Sequence, residues 1–360
     1  MLLADMGADV VKVESPDGGD PLRGLGEKVK GFSWYFASFN RNKRSISLDL
    51  KTEEGNALLK RMLGKADVLV ENFRPGVLDR LGFTERRLAD INPNLVVASI
   101  NGFGSKGRYA QRPAFDFVVQ AMSGFMSMNG KPDGEPLRTG VPIADIMAGI
   151  YAAFGVVCAL RTKGPDGTRG QRLEVSMLSA LMSSYAWYAA DYFAAGRLPA
   201  RTGNDHPISA PYGLFQARDG QIAVAPSTDQ IVQRFMNAIG LGELLLDPRF
   251  HDNASRVKHR PMLQALIDQR ISQETQERWV ETLNSHGVPC SIVRSLDQVM
   301  SDTDDSVQDM VLEVDHGDYG PVKMLGFPIK LSQTPCKTRL PAPDYGAHHA
   351  DIYRDWELSD

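Results

Sequence analysis

The first third of the chain alternates strand-like and helix-like segments. Residues 10–14 (VVKVE), 68–71 (VLVE) and 95–100 (LVVASI) are short apolar runs rich in β-branched residues, which is typical of strands. Between them, residues 53–64 carry apolar side chains at helical spacing, and a shorter helix is predicted near 78–81. Strands separated by helices can pair in parallel, so the pattern predicts an α/β fold with a parallel sheet.

The chain begins inside this pattern. Residues 1–6 resemble the end of a helix, Gly7 is a typical helix stop, and the strand at 10–14 follows at once. A helix followed so closely by a strand normally has a strand before it. We therefore expect a strand and most of a helix to precede residue 1 in the native protein, which N-terminal peptide mapping would test.

The length of 360 residues suits two or three domains of about 150 residues each. After residue 201 the pattern resets to turn and strand signals, followed by three helices between residues 231 and 286. The segment 205–300 is predicted to form a small α/β unit, and strand-like pieces return at 311–335.

Charge and composition exclude several classes of function. Forty basic and 44 acidic residues give a net charge of −4, which argues against a nucleic-acid or membrane-surface protein, so an anionic ligand must meet a local basic patch. The three cysteines and seven histidines lack metal-site spacing. The uncharged stretches 146–160 and 175–190 are shorter than the about 20 residues of a membrane span and are predicted to be buried helices. With few cysteines and no signal peptide, we expect a cytoplasmic protein.

Asp145 directly precedes an apolar helical pattern. One interpretation is structural, because aspartate is a favoured N-cap. The other is chemical, because a carboxylate at a helix N-terminus stays ionised and can attack an activated carbonyl in a water-poor pocket. Asp116 is a charged residue inside an apolar run, so it is expected to be in an ion pair, to cap the start of a helix or to be catalytic. The stripe that follows Asp145 at helical spacing is Ile146, Ile150, Phe154 and Val157.

Residues 102–107 (GFGSKG) match the glycine pattern of dinucleotide-binding loops and follow a predicted strand. Pro113 falls where the helix of such a motif would be running, so a nicotinamide or flavin site is disfavoured. A loop whose backbone N–H groups face an anion or oxyanion, or a plain surface loop, fits better.

A second basic pattern lies between residues 32 and 51, where aromatic side chains run into Arg41, Lys43 and Arg44. Together with Lys51, Arg74 and Arg80 these charges could surround the phosphates of a nucleotide whose base packs on the aromatic residues. A solvated surface is the structural alternative, and single-stranded nucleic acid is disfavoured.

Six collinear stretches resemble family III of the CoA-transferases, which includes formyl-CoA and carnitine-linked transferases and the α-methylacyl-CoA racemases. The sequence ENFRPG at residues 71–76 is specific in its context. The resemblance covers nearly the whole chain, through residues 2–14, 39–51, 66–82, 101–107, 133–153 and 167–177.

The resemblance implies that Asp145 is the catalytic nucleophile. In these enzymes the carboxylate attacks an acyl-CoA thioester to give a mixed anhydride, and the released thiolate then forms an aspartyl-CoA thioester. Coenzyme A is thus a substrate, and neither a permanently bound cofactor nor a metal is implied. The contacts to the adenine and phosphates of CoA fall on Leu48, Asp49, Lys51, Asn72, Phe73, Arg74 and Arg80.

The fold that the resemblance implies has a large Rossmann-like α/β domain from residues 1–204 and 305–360. A small α/β domain takes residues 205–304, and two subunits form an interlocked homodimer. The implied partners are an acyl-CoA and a carboxylic acid, without nucleic acid or membrane.

A racemase or epimerase, or a non-catalytic CoA-binding protein, is the alternative function. Racemases of this family have a histidine directly before an aspartate, where this chain has Phe115 before Asp116. Proton exchange on both faces of a carbon beside a carbonyl needs two bases, and phenylalanine is not a base. The transferase is therefore favoured.

Overall fold

The computed structural model describes residues 1–358 except 163, 165, 166, 168 and 169. Parts of the stretch 167–177 and of the expected domain segment 305–360 therefore lie outside the described residues. The strands are short, and in chain order they are β1 Val10–Glu14, β2 Lys28–Val29, β3 Phe32–Ser33, β4 Lys43–Ser47, β5 Val68–Glu71, β6 Val96–Asn101, β7 Gln171–Ser176, β8 Gly213–Ala217, β9 Gly220–Val224, β10 Cys290–Ile292, β11 Val311–Asp315 and β12 Pro321–Leu325.

Many of the helices begin at a Ser or Thr whose side chain accepts an N–H of the first turn, as Ser33, Thr52 and Thr84 do. The α-helices are α1 Leu2–Asp5, α2 Trp34–Asn40, α3 Glu53–Lys65, α4 Val77–Arg80, α5 Glu85–Ile91, α6 Asp116–Met122, α7 Phe125–Met128, α8 Ile143–Arg161, α9 Met177–Met182, α10 Trp187–Ala195, α11 Asp229–Ala238, α12 Asn253–Lys258, α13 Arg260–Ile271, α14 Gln276–Ser285, α15 Leu296–Met300, α16 Asp305–Gln308 and α17 His349–Asp355.

The predicted α/β class is confirmed, although the sheets are small. Strands β1 and β4 pair in parallel, and β5, β6 and β7 form a parallel three-stranded sheet in that order. The strands predicted at 10–14, 68–71 and 95–100 correspond to β1, β5 and β6, and the predicted helix at 53–64 is α3. The other sheets are antiparallel: β2–β3, β11–β12 and β8–β9–β10.

One compact unit comprises Met1–Ser123, Gly140–Tyr185 and Met300–Asp360, so both chain ends lie in it. Its cores join distant segments, because Phe32 and Phe36 pack with Val314 and Met324 of the β11–β12 hairpin. The buried pair of Asp5 with Arg41 adds to this closure.

The second unit comprises Gly124–Thr139 and Ala186–Val299. This division differs from the expected small domain at 205–304, because segments 124–139 and 186–204 belong with it. Hydrogen bonds within the unit join these segments: the N–H of Gly203 donates to the carbonyl of Gly130 at 2.9 Å, and the side chain of Arg201 donates to the carbonyl of Gly134 at 2.7 Å. The antiparallel sheet β8–β9–β10 and helices α11, α13 and α14 enclose the apolar core of this unit.

The face of helix α8 that packs against the core is not the predicted apolar stripe. Alanines at positions 144, 148, 152 and 159, together with Val156, are buried, whereas the stripe of large apolar residues is exposed, with Phe154 at 68%. Small side chains let the helix lie close to β6 and β7. Among the described residues α8 is also the one helix long and apolar enough to span a membrane, a property that core helices of soluble proteins share.

Two of the three cations of the basic pattern at 41–44 are bound within the fold. Arg41 is buried and makes a bidentate pair with Asp5, at 3.0 and 2.9 Å. Arg44 is paired with Asp9 and Asp355. Both guanidinium groups are thus paired with carboxylates of the same chain, buried at Arg41 and near the surface at Arg44, and their charges are already neutralised.

Candidate active site

The carboxyl ends of β5, β6 and β7 lie at one edge of the parallel sheet. Glu71, Ser99 and Glu174 are register neighbours across the three strands. Ligands of parallel α/β sheets bind beyond the carboxyl ends of the strands. Asn72, which follows β5, and the glycine loop after β6 are therefore at the position where such a sheet binds a ligand.

The segment after β5 is shaped by Glu71, whose carboxylate accepts the N–H of Phe73 at 2.8 Å. Phe73 leaves its ring half-exposed. Gly76 takes a left-handed conformation, with φ of 83°, and begins α4, which carries Arg80. A side chain at position 76 would meet the guanidinium of Arg80 at 3.3 Å, so Arg80 folds back over the loop that also holds Arg74.

The loop after β4 lies beside this segment, because Leu50 packs in the same core as Leu69 of β5 and Leu78 of α4. The carboxylate of Asp49 already accepts a hydrogen bond within the turn, from the N–H of Lys51 at 2.9 Å. Leu48 is buried in a core cluster. Of the expected CoA contacts on this loop, the exposed charge is therefore that of Lys51. Leu48 has its backbone carbonyl to offer, since its N–H donates to the carbonyl of Glu14 at 2.9 Å.

Lys51, Arg74 and Arg80 share one electrostatic property. In the part of the chain that the structure describes, none of the three has an ion-pair partner within 4.0 Å. Arg41 and Arg44, by contrast, are neutralised by carboxylates. The structure thus separates structural arginines from cations that an anionic ligand can reach.

Two N–H groups of the glycine loop after β6 are already hydrogen-bonded within the protein. The N–H of Gly104 donates to the side-chain oxygen of Asn101, and the N–H and hydroxyl of Ser105 donate to Glu174. These contacts hold the pKa of Glu174 below its ordinary value, chiefly through the hydrogen bonds of Ser105 and Asn101, against the opposing effect of burial. The interpretation of this stretch as an oxyanion cradle is wrong for Gly104 and Ser105, because both N–H groups are already bound.

Asp145 is the third residue of α8, and its carboxylate is not a helix cap. Pro142 occupies the cap position and has no side-chain hydrogen bond. The acceptor for the first turn comes from elsewhere: Asp116 accepts the N–H of Ala144 at 2.8 Å and the side chain of Gln120 at 2.7 Å. The N-cap interpretation of Asp145 is therefore wrong, and Asp116 has that role.

The electrostatic surroundings make Asp145 more basic than an ordinary aspartate. Partial burial raises the pKa of Asp145, and the negative charge of Asp116 raises it further. The carboxylate remains accessible to solvent, whereas Asp116 is only 8% exposed. Among the described residues none donates a hydrogen bond to Asp145, and a carboxylate in this state beside a like charge is a stronger nucleophile than a capping carboxylate.

Phe115, next to Asp116, is 80% exposed and has no acid or base function. Arg108 and Arg112, at the far side of the glycine loop, are two cations that the sequence patterns did not single out. Both rest on Tyr109, and the signal that could have found them is basic residues flanking an aromatic residue.

Comparisons with known proteins agree on one family. The model of CoA-transferase family III matches residues 1–349. The succinate–glutarate CoA-transferase of Agrobacterium fabrum is 35% identical over 99% of this chain and 90% of its own length. The acetyl-CoA:oxalate CoA-transferase of Acetobacter aceti is 37% identical, covering 92% of this chain and 84% of the relative. The crystal structure of a CaiB/BaiF family protein from Brucella suis superposes with a TM-score of 0.84 at 36% identity, covering 98% of this chain and 93% of that one.

Proposed function

The chain belongs to CoA-transferase family III and is an acyl-CoA:carboxylate CoA-transferase, and we propose that Asp145 is its nucleophile. The observation that supports this role is the state of the carboxylate. It stands in the first turn of α8 without a capping bond, is open to solvent and has a raised pKa. The capping of the helix by Asp116 leaves Asp145 free for chemistry.

The proposed reaction balances without a net proton or any redox partner. A carboxylate oxygen of Asp145 attacks the thioester carbonyl carbon, the C–S bond breaks, and CoA thiolate leaves a mixed anhydride behind. The thiolate then attacks the aspartyl carbonyl and releases the donor acid. The acceptor carboxylate attacks the aspartyl-CoA thioester, and thiolate return to the new acyl carbon regenerates the free Asp145 carboxylate.

CoA would lie along the carboxyl edge of the sheet. Lys51, Arg74 and Arg80 are cations there without an ion-pair partner among the described residues, and their charges suit the pyrophosphate. Phe73 offers an exposed ring face against which an adenine can pack. Asn72 would add a side-chain amide. Leu48 would contribute its backbone carbonyl and Asp49 its backbone N–H, since their side chains are buried or already bound, the N–H of Leu48 donates to Glu14, and the carbonyl of Asp49 accepts from Thr52.

We infer a short dicarboxylic acid as the acceptor. The succinate–glutarate relative is named for two dicarboxylates, and the acetyl-CoA:oxalate relative is named for one dicarboxylate and a monocarboxylic acetyl donor. An acid with a second carboxylate is therefore the class to test first, with succinyl-CoA as donor and glutarate or oxalate as acceptor.

The working unit is proposed to be an interlocked homodimer. Helix α8 is apolar all round, and helices of this kind are normally buried on every side. Ile150, Phe154 and Val157 of α8 are exposed, as are Phe115 and Phe117 at the start of α6, and exposed large apolar side chains in such numbers are typical of an interface. A second copy of the chain is the occupant that the family resemblance implies.

The nucleophile is tested by trapping. Incubation with succinyl-CoA and hydroxylamine should inactivate the enzyme and leave a hydroxamate on Asp145, while Asp145→Asn should lose CoA transfer and the label. Glu85→Gln, which alters another exposed first-turn carboxylate, is the matched control and should retain both. Transfer at the wild-type rate by Asp145→Asn would contradict the mechanism, and α-deuterium exchange in a 2-methylacyl-CoA without an acceptor acid would point to a racemase.

A further inference from the structure

The loop that follows β6 carries a pair of arginines on one aromatic ring. The guanidinium carbon of Arg108 lies 4.7 Å from the ring centroid of Tyr109, and that of Arg112 lies 4.6 Å from it. Tyr109 in turn packs edge-on against the buried Phe103, with ring centroids 6.3 Å apart. The ring therefore fixes two long side chains that would otherwise be free to rotate.

The backbone of this loop is fixed at both ends. Its start is tied to β7 by the hydrogen bonds of Ser105 to Glu174, including a hydroxyl contact of 2.6 Å. Its far end is tied to the segment after β5, because the side chain of Gln111 donates to the carbonyl of Pro75 at 3.4 Å. A binding surface held in shape before the ligand arrives loses little conformational entropy on binding.

The two guanidinium groups carry uncompensated charge. Neither Arg108 nor Arg112 has a carboxylate within 4.0 Å in the described part of the chain, and both are exposed. Two like charges near one ring repel each other, and an anion that contacts both of them offsets that repulsion. Arginine pairs of this kind suit a phosphate, because guanidinium groups match phosphate oxygens in a bidentate manner.

We propose that Arg108 and Arg112 bind the 3′-phosphate of coenzyme A and make the enzyme selective for CoA over 3′-dephospho-CoA. This inference rests on the proposed use of CoA at the carboxyl edge of the sheet. The contact of Gln111 with Pro75 places the arginine pair beside the loop of Arg74. CoA has two phosphate centres, and the pair of arginines suits the dianionic monoester, while the cations after β4 and β5 suit the pyrophosphate.

The test is a comparison of dissociation constants by titration calorimetry, with CoA and 3′-dephospho-CoA as the two ligands. The wild-type enzyme should bind CoA ~10- to 100-fold more tightly than 3′-dephospho-CoA, as expected for two charge-assisted contacts. The double variant Arg108→Gln/Arg112→Gln should bind CoA as weakly as 3′-dephospho-CoA, with its affinity for the latter unchanged. Arg86→Gln, an exposed arginine on α5, is the matched control and should keep the wild-type ratio.

Tyr109 supplies a second variant with a different expectation. Tyr109→Phe keeps the ring under both guanidinium groups and should keep the selectivity, whereas Tyr109→Leu should lose part of it. Equal weakening of both ligands in the double variant would overturn the proposal, since the arginines would then contact the pyrophosphate or adenine. Unchanged affinity for both ligands would overturn it as well. Failure of the wild-type enzyme to bind CoA or to transfer it would instead refute the proposed function.

Discussion

Asp116 offers the sharpest test of how this fold prepares its nucleophile. Its carboxylate accepts the N–H of Ala144, caps α8 from a position 28 residues earlier, and raises the pKa of Asp145. Two substitutions separate these effects. Asp116→Asn keeps an oxygen acceptor for Ala144 and removes the charge, whereas Asp116→Ala removes both.

The expected loss of stability follows from the contacts. Ala144 is fully buried, so its N–H has no water to replace a lost acceptor, and leaving it unsatisfied costs about 1–3 kcal/mol. At about 2–4 °C of Tm per kcal/mol, Asp116→Ala should lower the Tm by roughly 2–12 °C. Asp116→Asn should cost less, because its amide oxygen accepts the same N–H and Gln120 can turn its own oxygen toward the new amide.

The pH dependence of activity should respond to the charge alone. Attack requires the ionised form of Asp145, so kcat/KM should rise with pH through its pKa. Burial, the larger cause of the raised pKa, remains in both variants, while the contribution of Asp116 disappears. The acidic limb of the profile should therefore move to lower pH in Asp116→Asn as well as in Asp116→Ala.

The assay is kcat/KM for CoA transfer from succinyl-CoA to glutarate as a function of pH, together with thermal unfolding. An acidic limb at the wild-type pH in Asp116→Asn, with an unchanged Tm, would refute the argument that the charge of Asp116 acts on Asp145. A Tm loss in Asp116→Asn as large as in Asp116→Ala would refute the capping argument, since the amide oxygen would not replace the carboxylate.

Three further outcomes are expected. The folded protein holds the proton of Asp145 more tightly than the unfolded chain, so the stability of the wild type falls as pH rises through the raised pKa of Asp145. In calorimetry, Asp145→Asn should therefore have a higher Tm than wild type at neutral pH, but not at a pH below the ordinary carboxyl pKa. Phe154→Asp should convert a dimer into monomers in light scattering, while Leu246→Asp, at an even more exposed apolar position, should not. An intact dimer in Phe154→Asp would contradict the proposed interface. Asp5→Ala leaves the buried guanidinium of Arg41 without its ion-pair partner and should lower the free energy of unfolding by about 3–5 kcal/mol in denaturant titration. Glu357→Ala, which removes an exposed ion pair with Lys65, should leave the free energy of unfolding unchanged.

Local sequence patterns predicted the parallel strands and the position of Asp145, because both depend on residues close together in the chain. The role of Asp145 at the helix start could not be predicted in the same way. Aspartate before an apolar helix is usually a cap, but here the acceptor for Ala144 comes from α6. A tertiary contact of this kind leaves no signal near the helix it serves.

The basic residues show the same limit for charge. Arg41 and Arg74 look alike in the sequence, each within two residues of a phenylalanine, yet one is buried against Asp5 and the other has no ion-pair partner among the described residues. The partner of Arg41 lies 36 residues away, and one partner of Arg44 lies 311 residues away. Whether a cation serves the fold or a ligand depends on carboxylates that only the folded chain brings near.

Helix α8 shows why the predicted stripe was assigned to the wrong side. Both of its faces are apolar, so helical periodicity identifies the row of large residues but not the side that meets the sheet. Close approach to β6 and β7 favours the alanine row, because small side chains let backbone layers pack at short distance. The large residues, Phe154 among them, are then left outward on the helix that carries the proposed nucleophile. If a second copy covers them, partial burial of Asp145 increases on assembly, and its pKa should rise further in the dimer than in a Phe154→Asp monomer.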